Sequence, residues 1–483
     1  MKKFKTIISR LILIALCFAF CRESAFAEVK PGALFTDHMV LQQQSEVAVW
    51  GWAKPESNVS LLSSWNKKKY QVKSDAAGKW KFKIATPVAG GPYEITISDG
   101  QAITLKDVLI GEVWFCGGQS NMEMPMKGFK SQPVLGSNEA ILKSSNNQLR
   151  LYTVPRSSVT ERQDTSKTSA WKIAKPETVA NFSATAYHFG KLLSEMLQVP
   201  VGLINDSYGG SSIEAWMSPE QLKAFPEVII PAKGAVIKEV SRTPTTLYNG
   251  MLYPVIGFGI RGAIWYQGES NYERPDRYEE LFPAMVKAWR ADWGMGEFPF
   301  FYAQIAPYNY AQLPVNSTAP KYNSALIRDA QRKSLNKITN SGMAVLLDIG
   351  EENSIHPANK TAGGTRLAYL ALGNTYGIKG FGYASPAYES ISIKENKAIL
   401  KFEGAANGLT SFGKALTLFE VAGADQKFYQ AKASISGSSI TVSAEQVKVP
   451  LAVRYAFKDF VNGELFGNDG LPVSSFRTDN WEN

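Results

Sequence analysis

Five apolar runs spaced over residues 108–375 constrain this 483-residue chain more than any other feature. They lie at 108–116, 200–205, 260–266, 299–305 and 343–348, and most are continuously apolar rather than alternating. Continuous apolarity over a strand's length is what a parallel sheet requires when both of its faces are covered. Between the runs the period changes to that of a helix. Residues 182–197 place Phe182, Ala186, Phe189, Leu193 and Met196 on one face. Residues 276–293 do the same with Tyr278, Phe282, Met285 and Trp289, and 359–374 form another helix. The alternation predicts a three-layer α/β domain with a parallel sheet, whose ligands bind at the strands' carboxyl ends.

The flanks carry a different pattern. Residues 28–107 hold short strand-like runs, among them Val47–Trp52, Val59–Leu62 and Tyr93–Ile97, separated by Gly, Pro, Asn and Asp. Residues 376–483 return to the same style, with 398–402, 416–419 and 439–442 as strands. The predicted organisation is therefore a β-sandwich-like region, an α/β domain over 108–375, and a second β domain.

Residues 1–27 read as a cleavable export signal. Lys2, Lys3, Lys5 and Arg10 precede the apolar stretch Leu11–Phe20, and Ala25-Phe26-Ala27 supplies a small-residue cleavage site. The stretch is short for a membrane span, so no stable membrane insertion is expected after processing, and the expected location is secreted or periplasmic. Processing lowers the formal charge from +9 to +5, a mild value without a basic cluster, which argues against nucleic acid as a partner. Cys17 and Cys21 leave with the signal. Cys116 then stands alone, so the mature chain forms no internal disulfide, and its place in an apolar run marks it as a core residue.

Chemistry concentrates at the predicted strand ends. Gly117-Gly118-Gln119-Ser120-Asn121-Met122 follows the first run, and its two glycines turn the chain so that Ser120 stands at the edge of the sheet. That placement serves either a nucleophile with backbone N–H groups aimed at the same point or a helix N-cap. Only three histidines are present. His38 falls in the N-terminal β region and His188 within the 182–197 helix, both as structural residues. His356 follows the last strand, before a restraining Pro357, at the same edge as Ser120, and is the candidate general base. Asp348, Glu351, Glu352 and Asn353 are all near enough in sequence to orient it. Asn205–Ser211 and Trp265–Asn271 add two further polar clusters, with Gly210, Gln267, Glu269 and Asn271 in reach of a ligand or oxyanion.

These segments together resemble the sialate O-acetylesterase family, within the SGNH (GDSL-like) serine hydrolases. The matching stretches are Gly118–Met122, Gly209–Trp216, Trp265–Asn271 and Ile355-His356-Pro357 with Lys360, joined by Leu34–Gln42, Gly470–Pro472 and Phe476–Asp479. The resemblance implies a secreted esterase that removes O-acetyl groups from sugars without metal or other cofactor. Ser120 would attack the acetyl carbonyl and His356 would carry the proton, with Asp348 or Glu351 as the acid. Ser120 N–H, Gly210 N–H and the amide of Gln267 or Asn271 would hold the oxyanion. Gln119, Glu269, Glu214, Trp216 and Arg328 would bind or shape the sugar pocket. The position three residues before the histidine, where many members carry an acid, is Asn353 here, which leaves a Ser–His dyad open. O-acetylated sialic acid is the first expected substrate and acetylated xylan or another plant glycan the second. Arg328 or Arg366 would meet a sialate carboxylate. Other classes predict other outcomes: a glycan-binding module would release no acetate, and a glycosidase would use paired carboxylates such as Asp206 and Glu269.

Overall fold

The computed structural model describes residues 29–313 and 323–481. The export signal expected at 1–27 lies outside them. Seven strands form the central row of the largest sheet: β1 Ala102–Gly118, β2 Asn146–Thr153, β3 Lys172–Ala174, β4 Val201–Ser207, β5 Gly262–Tyr266, β6 Phe300–Ala303 and β7 Ser341–Ala344. Their spatial order is β3-β2-β4-β1-β5-β6-β7. All neighbours run parallel except β3, which pairs antiparallel with β2. Five principal helices accompany them: α1 Ser120–Glu123, α2 Ala184–Leu197, α3 Pro275–Trp293, α4 Asn323–Ser334 and α5 Lys360–Leu370.

Alternation along β1 builds the two faces. Val113 and Phe115 enter one core with Ile204, Trp265 and the α3 side chains Phe282, Met285 and Trp289. Trp114 and Cys116 enter the other with Leu203, Ile264, the α2 residues Tyr187, Phe189 and Leu193, and Leu367 of α5. This is the expected three-layer arrangement, and Cys116 is a buried core thiol whose pKa burial pushes far up. The chain leaves β1 to build β2 and β4 on one side, then crosses to build β5, β6 and β7 on the other. The end of β1 is thus the topological switch point, where open α/β sheets leave a crevice for ligands.

The boundary expected near residue 107 falls inside a strand. The first part of β1 pairs antiparallel with Gly90–Ser98, and its second part pairs with β4 and β5. One strand therefore belongs to both the N-terminal β region and the parallel sheet, which couples them rigidly. A three-stranded sheet of 30–31, 46–52 and 79–85 completes the N-terminal region. Beyond residue 385 two four-stranded antiparallel sheets and a two-stranded ribbon make the C-terminal β region.

The structure contains elements that apolar patterning misses. Strand β2 carries Arg150, which is buried by pairing with Asp107 at 2.6 Å. Helix α4 hides Arg328, Asp329 and Gln331. In both cases internal ion pairs and hydrogen bonds let polar side chains occupy core positions, so hydrophobic period understates the element. No helix among the described residues is long and apolar enough to cross a membrane.

Candidate active site

The turn after β1 is set by its backbone neighbours. Gly118 has φ +147, and a Cβ there would lie 2.2 Å from Tyr266 O of β5, so no other residue fits without separating the strands. Gln119 N–H then donates to Tyr266 O at 2.9 Å, and Gln119 O accepts from Met122 and Glu123 N–H. Gln119 is therefore the helix cap, and Ser120 is the first helical residue rather than the cap itself. Gln119 and Asn121 are 3% and 1% exposed, whereas Ser120 between them is only partly buried. The turn delivers one hydroxyl to the surface and keeps both flanking amides inside.

Both of those amides brace the site. Gln119 Oε1 accepts from Gly268 and Ser270 N–H at 3.3 and 3.2 Å, clasping the turn after β5. Asn121 Nδ2 donates to Glu269 Oε1 at 2.5 Å and to Ile355 O at 3.1 Å, and Asn121 Oδ1 accepts from Lys360 Nζ. An ammonium only donates and a carboxylate only accepts, so this amide's orientation follows from its partners. Burial raises the Glu269 pKa against the opposing effects of its hydrogen bonds and Lys360. Burial likewise lowers Lys360 to about 7, with Glu269 and Glu351 opposing. The residue next to Ser120 is thus tied directly to the residue before His356.

The His356 ring is held from an unexpected direction. Its Nδ1 lies 2.6 Å from Gln132 Oε1, and Phe129 meets the ring edge-on at 5.4 Å between centroids. With an amide oxygen as acceptor, Nδ1 carries the proton and Nε2 the lone pair. Burial, and then the Lys360 cation, lower the imidazole to about 4, so it is neutral at pH 7. Neither of the acids named for this place, Asp348 or Glu351, holds it. Asp348 is engaged by Arg366 through two 2.7 Å bonds. Glu351 Oε1 accepts from Ala358 N–H at 2.6 Å, and Asn353 Oδ1 accepts from Gln312. The expectation of Asp348 or Glu351 beside the histidine therefore fails on geometry. Gln132 is 224 positions away, in a segment without periodicity, and no local spacing pointed to it.

The loop after β4 forms the opposite wall. A Cβ on Gly209 would stand 3.5 Å from Ser120 Cβ, 2.8 Å from Glu123 Oε2 and 3.8 Å from an Arg156 nitrogen, so a bare backbone is what leaves room beside the hydroxyl. Glu123 accepts from Gly209 N–H at 2.8 Å and from Arg156 Nε at 2.7 Å. Gly210 follows in the left-handed region with φ +73 and remains, with Ser120 N–H, the backbone candidate for an oxyanion. Arg156, stacked on Tyr208 at 4.5 Å, is a cation beside Ser120 that sequence reading missed.

The remaining expected site residues turn inward. Gln267 is fully buried, and its Nε2 is taken by Ser211 O and Asn271 Oδ1, so it has no N–H left for an oxyanion. Asn271 Nδ2 donates to Glu214 Oε2, and Glu214 pairs with Arg274. Trp216 is buried and donates to Ser211 Oγ. They stiffen the wall from behind rather than lining a sugar pocket. Arg328 is wholly buried and spends its guanidinium on Ser324, Ser475 and the Lys458 carbonyl, tying α4 to the C-terminal region. With Arg366 on Asp348, neither arginine expected at a substrate carboxylate is available. Asp206 and Glu269 are 0% and 3% exposed, and burial raises both pKa values. Enclosed in this way they cannot flank a glycosidic bond. His38 pairs with Asp107, and His188 packs on α2 beside Thr361, as structural residues.

Comparison with known proteins follows the same lines. The sequence family described as "Carbohydrate esterase, sialic acid-specific acetylesterase" matches residues 110–368. The chain is 30% identical to the sialate O-acetylesterase of Pongo abelii over 395 residues, covering 75% of this chain and 74% of that protein. Identity to the Homo sapiens sialate O-acetylesterase is 29% over 395 residues, with the same coverage of each chain. The crystal structure of a carbohydrate acetylesterase from Xanthomonas citri superposes with a TM-score of 0.85 at 35% identity, covering 94% of this chain and all of that one.

Proposed function

Since the chain belongs to the family of sialic acid-specific carbohydrate acetylesterases, a family of carboxylic ester hydrolases, we propose that it deacetylates sugars through an acetyl-enzyme on Ser120 with His356 as base. The observation that carries the reading is Asn121, which neighbours Ser120 and bonds the carbonyl next to His356, so that one side chain sets the separation of nucleophile and base. Ser120 Oγ attacks the acetyl carbonyl carbon while its proton passes to His356 Nε2. The tetrahedral oxyanion is held by Ser120 and Gly210 N–H. The sugar oxygen leaves with the proton, water then attacks the acetyl-serine through the same nitrogen, and acetate departs. Gln132 keeps Nδ1 protonated and the ring aligned. Rapid acid quenching during turnover, followed by mass analysis of the Ser120 peptide, is expected to find the acetyl group there; its presence on another residue would overturn the assignment.

The first proposed substrate is O-acetylated sialic acid, with acetylated plant glycan as the alternative. Arg156 supports the first, because its half-exposed guanidinium, held by Glu123 through Nε and Nη2, keeps Nη1 to donate to a sugar carboxylate beside the nucleophile. Arg156→Gln is expected to raise KM for 9-O-acetyl sialic acid about tenfold, with kcat little changed and acetylated xylo-oligosaccharide unaffected. An equal effect on both substrates would remove Arg156 from specificity. Residues 1–27 are proposed to direct the enzyme out of the cytoplasm, consistent with a glycan substrate.

The pH profile tests the base. His356 must be neutral to accept a proton, so the acid limb of kcat/KM is expected near pH 4 rather than near 6.5, and activity falls as pH drops through it. Gln132→Glu would place a carboxylate against Nδ1, favour the imidazolium, and move that limb upward by about one pH unit or more. A limb that stays in place would separate Gln132 from His356.

A further inference from the structure

A second cleft, remote from Ser120, opens between the N-terminal β region and the catalytic domain. It encloses about 430 Å³, within the range of small-ligand sites. Its centre is the outer face of strand Glu46–Trp52. Val47 and Val49 point into the core, so Trp50 and Trp52 share the opposite face and are only partly buried. Two residues apart on a strand, their side chains rise about 6.6 Å from each other. Across the ladder Trp50 faces Lys81 and Trp52 faces Lys79. Phe35 fixes the Trp50 ring edge-on at 4.7 Å between centroids, so this part of the platform is preorganised.

The catalytic domain supplies the other wall. Asp164 pairs with Lys79 at 2.7 Å, and the lining continues with Tyr253, which carries Arg162 over its ring, and Asp292, which accepts from Tyr248 Oη at 2.9 Å. Asp292 is near the end of α3, whose start adjoins the 268–271 turn of the catalytic site. The 18 residues from Arg274 to Asp292 separate the two sites by about 27 Å along that helix. Trp80, also lining the cleft and 3% exposed, keeps an indole N–H without a hydrogen-bond partner.

We propose that this cleft binds a neutral pyranose chain as a non-catalytic glycan site. Flat indole faces match the C–H faces of sugar rings, and the polar rim of carboxylates and ammoniums can pair with ring hydroxyls. The lining holds three aspartates and two lysines, one of them already paired with Asp164, which disfavours an anionic chain. The site goes beyond the esterase reading and does not depend on Ser120.

The test is calorimetric titration of the full protein with xylohexaose, cellohexaose and 3′-sialyllactose. At least one neutral probe is expected to bind with Kd at or below roughly 1 mM. Trp52→Ala is expected to weaken that binding about tenfold or more, and Trp52→Phe, which keeps an aromatic face, by much less. Both variants should hydrolyse 4-nitrophenyl acetate at the wild-type rate, which separates a failed cleft from a failed catalytic site. No binding of any probe, binding unchanged in Trp52→Ala, or tighter binding of 3′-sialyllactose through Trp52 would each overturn the proposal. Loss of small-ester hydrolysis in both Trp52 variants would do so too, by showing that Trp52 acts on the whole fold.

Discussion

Ser120→Ala is expected to lower kcat/KM for acetate release by about four orders of magnitude or more, with the fold and Tm unchanged. The size follows from the loss of the covalent route itself. Gln132, His356, the Gly210 loop and the buried braces all remain in the variant, but none of them supplies a nucleophile. Ser120 is the first residue of α1 and partly exposed, and neither Gln119 nor Asn121 needs its hydroxyl to hold the turn. Removing one oxygen there leaves no buried partner unsatisfied, so stability should not follow activity. Acetate release measured on 9-O-acetyl sialic acid and acetylated xylo-oligosaccharide decides the matter. Equal rates in wild type and variant would exclude Ser120 as the nucleophile.

Lys360→Met should act in the opposite way, on stability first. Lys360 and Glu269 are 2% and 3% exposed and are joined only through the Asn121 amide. Removing the ammonium leaves a buried carboxylate facing an amide that has lost its anchor. Breaking a buried charge pair on one side costs about 3–5 kcal/mol, which urea unfolding would read as a lower midpoint. The remaining Glu269, with its pKa already raised by burial, is then best accommodated protonated. A carboxyl whose folded pKa lies above its unfolded value gives stability at low pH and loses it as pH rises through the folded pKa, so the deficit should shrink on acidification. Lys360→Met with Glu269→Gln should recover much of the loss. A single variant as stable as wild type would mean that water, not Lys360, solvates Glu269.

The two variants probe different layers of one site, and the layers differ in how far they can be read without coordinates. The serine turn is local: apolar run, two glycines, serine, all within a few residues. The candidate base was legible for a related reason, since three histidines left few choices and His356 was the one read as following a strand end. The parallel sheet and two flanking β regions were equally visible in the change of hydrophobic period. Strand β2 and helix α4 were not, because Arg150, Arg328 and Asp329 occupy buried positions that composition assigns to solvent.

The orienting partner of His356 shows the other limit. Asp348, Glu351 and Asn353 were near in sequence, yet each is committed elsewhere, and the ring is held by Gln132 from the loop that follows the Ser120 turn. The same holds for Gln267 and Asn271, whose amides read as ligand donors until their partners are seen. The sequence by itself determined the layered fold, the exposed serine turn and the candidate base, because these rest on periodicity, glycine geometry and scarcity along one stretch of chain. Only the tertiary structure decided which polar groups face the reaction and which brace it, because a hydrogen bond depends on distance in space, and residues 132 and 356 become neighbours only when the sheet brings their loops together.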